Sequence, residues 1–234
     1  MNHLIYQYFK TDKDRTLVAS ADFNYVNLSL TSVSKYAQRH NHNFHFESNV
    51  TMPFSSFYGI FLPFLDGSCW DYDSVCFLDC DILISNKSED IYNYASMEHI
   101  NVFVQPSLQI IQPSQYDNRF DFFKNEMNGW ANSGVVIFPK AIYNDLIYFL
   151  RDLPEYYGGR YLDYPMTVGF FDQYVVNEFI RQTKQWHALP EKFNYIHGHP
   201  DLWHVVDSSD AYFHHFHRDQ KQAMKEEFHS GKYT

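Results

Sequence analysis

Residues Tyr72–Ser85 read YDSVCFLDCDILIS. The apolar run Val75–Leu78 has the length of a buried strand and runs directly into Asp79-Cys80-Asp81. Residues two apart on an extended chain point to the same side, so Asp79 and Asp81 can face one ligand together. Two carboxylates that close repel each other, and one tends to take up a proton unless a cation sits beside them. A hard divalent ion such as Mn²⁺ or Mg²⁺ suits the pair, because it takes oxygen ligands and bridges carboxylates to phosphates. The pattern D-x-D arises often by chance. Its position at the end of a buried strand gives it weight, since ligands of α/β sheets bind outside the carboxyl ends of the strands.

Working outward, short apolar runs alternate with helical periodicities. An early strand falls at Leu4–Phe9 or at Leu17–Ser20. Val26, Leu30, Val33 and Ala37 recur at spacings of three and four, which predicts a helix over Tyr25–Arg39. Asn43–Glu47 alternates as a strand, and Phe57–Leu65 reads as helical, ending near Gly67. Val102–Gln105 and Gly134–Phe138 are further strands, the second stopped by Pro139. Ala141–Leu150 and Phe171–Gln182 read as helices, and Ala211–His217 as a late strand. Glu89 and Asp90 fit the first turn of a helix, where anions suit the dipole, and Lys221–Thr234 reads as a solvated helix end. The alternation implies one α/β domain over residues 1–234, with a mostly parallel central sheet flanked by helices.

Composition narrows the function classes. The chain has 234 residues and a formal net charge of −10, which disfavours generic nucleic-acid binding. An anionic small molecule remains compatible if a metal and a few local cations offset the field. Three cysteines, Cys69, Cys76 and Cys80, are an odd number without metal-ligand spacing and suggest reduced thiols. No run approaches the ~20 apolar residues of a membrane span, and the start lacks a signal-peptide pattern, so a soluble cytoplasmic protein is expected. The 22 Phe, 19 Tyr and 4 Trp supply an aromatic core, with exposed rings in a sugar groove as the alternative use.

Five segments in order resemble the GT-A glycosyltransferases, in particular the retaining family 8 that includes glycogenin and bacterial galactosyltransferases. YDSVCFLDCDILIS is similar to that family's D-x-D segment, and WANSGVVIF (Trp130–Phe138) to its N-S-G strand. FFDQYVVNEF (Phe170–Phe179) resembles its D-Q-x-x-x-N helix start. ALPEKFNY (Ala188–Tyr195) is similar to its L-P-x-x-y-N turn, and AYFHHFHRDQK (Ala211–Lys221) to its closing H-F-x-G-x-x-K element. The related family of plant xylosyltransferases and yeast galactosyltransferases shares the fold and a similar motif order. Departures are visible too: Arg218 stands where the closing glycine would, Gln222-Ala223 replaces Pro-Trp, and Phe57–Leu65 lacks the usual lysine. LVASADFNY (Leu17–Tyr25), or the earlier YQYF, would be the nucleotide segment.

The resemblance implies a GT-A, Rossmann-like fold and transfer of a sugar from a nucleotide-sugar donor, a UDP-sugar, to a glycan or glycoprotein acceptor, with retention of configuration. Asp79, Asp81 and His215 would hold Mn²⁺ (or Mg²⁺). Lys221 would touch the diphosphate, with Cys80 and Ser133 also on the donor side. Asp172 could hold sugar hydroxyls, Gln173 would lie near the anomeric carbon, and Asn132 could orient the same hydroxyls through its amide. A neutral imidazole suits Mn²⁺, and a lysine ammonium is a good point charge for phosphate.

Blander readings accompany these. Asn132-Ser133-Gly134 could be a turn entering a strand, and Asp172 a helix N-cap with Gln173 in the first turn. Alternation places His215 and His217 on one face and His214 on the other, while His40, His42 and His45 read as surface residues. Tyr156–Tyr164 and His197–His204 are candidate lids. FLDCDIL also resembles the strand of haloacid-dehalogenase-type phosphatases, whose first aspartate attacks phosphorus. That motif usually carries Thr or Val where Leu83 stands and lies near the N-terminus. A non-catalytic carbohydrate-binding protein would use the aromatics but has no need of a carboxylate pair coupled to Lys221. A nucleotidyltransferase would show a Gly-rich phosphate loop, and none is visible.

Overall fold

The structure, a computed structural model, describes residues 1–9, 24–48, 56–106, 122–157, 171–198, 204–216 and 220–233. The first strand is β1 (His3–Phe9), and the alternative at Leu17–Ser20 lies outside the described residues. Helix α1 (Asn24–Arg39) leads to β2 (Asn43–Ser48). A 3₁₀ turn at Ser56–Phe61 runs into the short α2 (Leu62–Leu65), which precedes β3 (Ser74–Leu78) and β4 (Ile82–Ile84). Next come β5 (Ile100–Gln105), β6 (Trp130–Pro139), α3 (Tyr143–Tyr157) and α4 (Phe171–Thr183). The described chain closes with β7 (Trp186–Ala188), β8 (Tyr195–Ile196), β9 (Phe213–His215) and α5 (Lys221–Phe228).

Six strands form the main sheet in the order β2-β1-β3-β6-β5-β7. All run parallel except β6, which is antiparallel to both of its neighbours. The reversal has a functional consequence. Parallel strands present their carboxyl ends at one edge, and β6 delivers its beginning, the Asn132-Ser133-Gly134 segment, to that same edge. The alternative reading of this segment as a turn is therefore excluded: β6 starts four residues before Gly134 and includes all three residues.

Strict alternation along the central strands builds two cores. Leu4, Tyr6, Val75, Phe77, Val136 and Phe138 face a cluster shared with Phe64 and with the buried stripes of α3 and α4. Their neighbours Ile5, Cys76, Leu78, Val135 and Ile137 face α1 and a second, three-stranded sheet of order β4-β9-β8. The cysteines are free and buried, as reduced thiols would be. On α1 the apolar stripe holds at Val26, Val33 and Ala37, but Leu30 is only half-buried and Tyr36 fills the core instead. Ser32 on the same face bonds both the N–H (2.7 Å) and the carbonyl (3.1 Å) of Ile84, stitching α1 to the strand that follows the aspartates.

Three local readings change. Asp90 caps a 3₁₀ turn at Ile91–Tyr94, with its carboxylate accepting from the Tyr92 N–H at 3.0 Å. His42 is not a surface residue: its side chain is 5% exposed and lies 3.1 Å from Asp90, held at the amino-terminal ends of β1 and β2. The C-terminal tail is not a solvated end either. Met224 and Tyr233 are fully buried against Leu83 and Phe216, because Leu83 on β4 and Phe216 just after β9 present apolar side chains that need cover. None of the described helices is long and apolar enough to cross a membrane.

Candidate active site

Strand β3 ends at Leu78, and the chain turns outward through Asp79-Cys80-Asp81 at the carboxyl edge of the sheet. Three bonds fix this turn. The Asp79 N–H donates to the Gly134 carbonyl at 2.9 Å, and Gln7 Nε2 donates to the Asp79 carbonyl at 3.0 Å. The Cys80 thiol donates to the Tyr8 carbonyl at 3.3 Å, so the residue between the aspartates faces β1 with its side chain. On the far side the Phe216 N–H donates to the Asp81 carbonyl at 2.9 Å, and β4 pairs antiparallel with β9, placing Ile82 opposite His215.

That pairing brings the expected ligands together. His215 Nε2 lies 3.1 Å from Asp81 Oδ1 and 3.5 Å from Asp79 Oδ2. One ligand-type atom of each residue falls within 4.8 Å of the others. Lys221, the first residue of α5, contacts Asp81 through its ammonium, which also lies 4.9 Å from the Tyr25 ring centre. Only the His215 side chain is fully buried, at 3% exposure, whereas Asp79 is 34% exposed and open to an incoming ligand.

A hydrogen-bond relay determines which nitrogen of His215 faces the carboxylates. The Gly134 N–H can only donate, and it does so to Asn132 Oδ1 at 2.9 Å. The same oxygen accepts from Asn194 Nδ2 at 2.9 Å, which fixes the Asn194 amide and turns its Oδ1 toward His215 Nδ1 at 3.0 Å. An oxygen acceptor requires Nδ1 to carry the proton. The lone pair on Nε2 is thereby aimed at two carboxylates, an arrangement that is repulsive unless a proton or a metal ion lies there. The donor set, two carboxylates and one imidazole, fits a Mn²⁺- or Mg²⁺-type ion. Burial and the neighbouring Asp81 push the Asp79 carboxyl up to about 8. Burial would also raise Asp81, but Lys221 and His215 outweigh it and hold that carboxyl far below its usual range. Burial disfavours His215 as a cation, yet the two aspartates prevail and raise it.

Gly134 is required by the same packing. A Cβ there would lie 2.3 Å from His215 Cε1 and 2.6 Å from Nδ1, so the imidazole rests directly on the β6 backbone. The pairing of β6 with β5 steps between Val102 and Phe103, and residues 133–135 have no partner on β5. Such bulges re-aim side chains beside sites.

The remaining expected residues are placed as follows. Ser133 is buried in β6 beside Asn132. Asp172 is half-buried in the first turn of α4, which begins at Phe171, so it lies inside the helix rather than capping it, and its charge reaches Asp79. Gln173 follows, 4% exposed. Asn177 docks this helix: its amide accepts from the Ala131 N–H at 2.9 Å and donates to the Ala131 carbonyl at 2.8 Å, as a neighbouring strand would. β9 ends at His215, two residues earlier than expected, while His217, Arg218 and most of the two candidate lids lie outside the described residues. Asn194, Gln7 and Asn177 were not identified as site residues from sequence. Asn194 and Asn177 are the asparagines that end the fourth and third quoted motifs, which is the signal that could have found them.

No family model matches the sequence, and no curated protein is significantly similar to it. Solved structures are similar in fold. A glycosyltransferase involved in glycosylation of the major capsid of PBCV-1 superposes with a TM-score of 0.63 at 13% identity, covering 98% of this chain and 100% of that one. An active-site mutant of LgtC gives 0.58 at 13% identity, covering 99% and 96%. The glycosyltransferase GlyE of Streptococcus pneumoniae TIGR4 gives 0.55 at 11% identity, and this chain, 97% covered, spans 60% of that longer one. The chain has the α/β fold of the GT-A glycosyltransferases.

Proposed function

We propose that the protein is a glycosyltransferase that moves a sugar from a UDP-sugar to a glycan or glycoprotein acceptor, dependent on a divalent metal and with retention of configuration. The observation that carries this is the aimed lone pair of His215 Nε2 between Asp79 and Asp81, at the sheet edge where this fold binds ligands. Asp79, Asp81 and His215 would hold Mn²⁺ (or Mg²⁺). When bound, the ion would neutralise charge developing on the departing diphosphate.

The chain's own residues supply the rest. Lys221 brings an ammonium to the same spot for the diphosphate, so two local cations offset an otherwise acidic protein. Asn132 has its oxygen engaged twice, which leaves its Nδ2 as the group able to orient a sugar hydroxyl. Asp172 would accept from donor-sugar hydroxyls, and Gln173 would lie near the anomeric carbon. Ser133 would lie beside the donor sugar with Asn132, and the Cys80 turn would border the donor.

The test is UDP release from a panel of UDP-sugars with Mn²⁺, against a chelator control. Release that depends on the metal and on an added acceptor supports the reading, and the anomer of the product reports retention. No release from any nucleotide-sugar, together with glycan binding that ignores UDP, would move the protein to the carbohydrate-binding class.

A further inference from the structure

Behind the carboxylate pair lies a second set of ligand-type side chains. His214 and His215 are successive residues of β9, so their side chains leave opposite faces of the small sheet. His215 meets the aspartates, and His214 faces away from them. Its Nδ1 lies 3.0 Å from His197 Nε2, and His197 Nδ1 lies 4.0 Å from Glu227 Oε1. One ligand-type atom from each of His197, His214 and Glu227 falls within 4.8 Å of the other two.

Three separate elements contribute. His197 follows β8 and is pinned by its N–H to the His215 carbonyl at 2.8 Å, with its ring stacked on Phe216 at 4.2 Å. His214 comes from β9, and Glu227 from the last turn of α5. Glu227 is oriented from behind: its other oxygen accepts from the Tyr233 hydroxyl at 2.6 Å, and Tyr233 is fully buried. Outer partners of this kind are what hold metal ligands in place. Glu227 is 31% exposed, which leaves an entry path from solvent.

We propose that His197, His214 and Glu227 form a second metal site, of zinc type, distinct from the Asp79–Asp81–His215 centre. The donor sets separate the two. Two carboxylates and one imidazole suit Mn²⁺ or Mg²⁺, whereas two imidazoles and one carboxylate are a zinc set with a fourth position for water. Two nitrogens on a tetrahedral zinc lie about 3.3 Å apart for bonds of the usual length, close to the separation of the two imidazoles. A bound ion would displace the proton that the two rings share and cross-link β8, β9 and α5. Lys221 opens α5 and reaches Asp81, so the same ion would brace the helix that carries Lys221.

The experiment is a calorimetric Zn²⁺ titration of the chelator-stripped full chain in an Asp81→Asn background, with Asp79→Asn as an alternative background. Circular dichroism confirms folding. A tight zinc equivalent is expected to persist in that background. It should weaken by about 10–100-fold or more when Glu227→Gln or His197→Ala is added. Glu227→Gln keeps the shape of the side chain and its hydrogen bond to Tyr233, so loss of zinc there cannot be ascribed to misfolding. Absence of a zinc equivalent in both backgrounds would overturn the proposal, as would zinc binding untouched by both added substitutions. Neither readout depends on UDP, so this site and the transferase reading stand or fall separately.

Discussion

His215 depends on a side chain that lies behind it, on the side away from the carboxylates. Asn194 is fully buried and links the imidazole to Asn132 and so to the β6 backbone. Asn194→Ala would leave the His215 Nδ1–H without its acceptor, at a cost of ~1–3 kcal/mol for an unsatisfied buried group. It would also free the ring to turn. Mn²⁺ affinity is expected to fall about 10–100-fold, as for other outer partners of metal ligands, with calorimetry as the check. Unchanged affinity would show that the relay does not orient the ring. Protonation at the same residues gives a second expectation. Asp79 rises from 3.8 to about 8 on folding, and His215 rises from 6.5. Groups with raised folded values stabilise at low pH and lose that contribution as pH climbs through the folded value. Asp81 is lowered, and its contribution is lost only in acid, below 3.8. The metal-free protein should therefore lose stability between about pH 4 and pH 8 from these groups. Mn²⁺, which competes with their protons, should raise the melting temperature more at the upper end. An equal shift at both ends would contradict the protonation scheme.

At the scale of elements, β6 carries the site because it runs against its neighbours. Its early residues reach the carboxyl edge of the sheet, and the bulge over residues 133–135 leaves Gly134 beneath the imidazole. Gly134→Ala would force a methyl within 2.3 Å of His215, so the ring or the strand must shift. Overpacking of this kind costs ~1–3 kcal/mol. The expected result is a folded protein whose melting temperature no longer responds to Mn²⁺, and a full response would refute the packing argument. The apolar run made the strand at Gly134–Phe138 legible, but not its direction, and its early start at Trp130 was carried only by the family resemblance. Direction is set by which strands flank it, and Trp130-Ala131-Asn132-Ser133 has no alternation to mark it as sheet. The tail misled for a related reason. Met224 and Tyr233 are buried with Phe216 against Leu83, a partner distant in sequence that local polarity around Lys225–Glu227 conceals.

Over the whole molecule, the cluster of Asp79, Asp81 and His215 was legible because each sits in a local pattern: Asp79 and Asp81 after a buried strand, His215 six residues before Lys221. Asn194 was not, since its role exists only once β9 lies against β4 and the turn after Leu189 lies beneath both. The acidic balance also makes sense only in three dimensions, where Lys221 faces Asp81. A carboxylate pair so arranged should bind a nucleoside diphosphate only together with a metal. The most direct test is the melting temperature of the purified chain with UDP, with and without Mn²⁺, repeated in Asp81→Asn. A ligand that binds only the folded state stabilises by mass action, about 2.7 kcal/mol at a hundredfold excess over its dissociation constant. Stabilisation by UDP that requires Mn²⁺ and disappears in Asp81→Asn is the predicted result. A response to UDP that is the same without metal, or no response to UDP at all, would contradict the account.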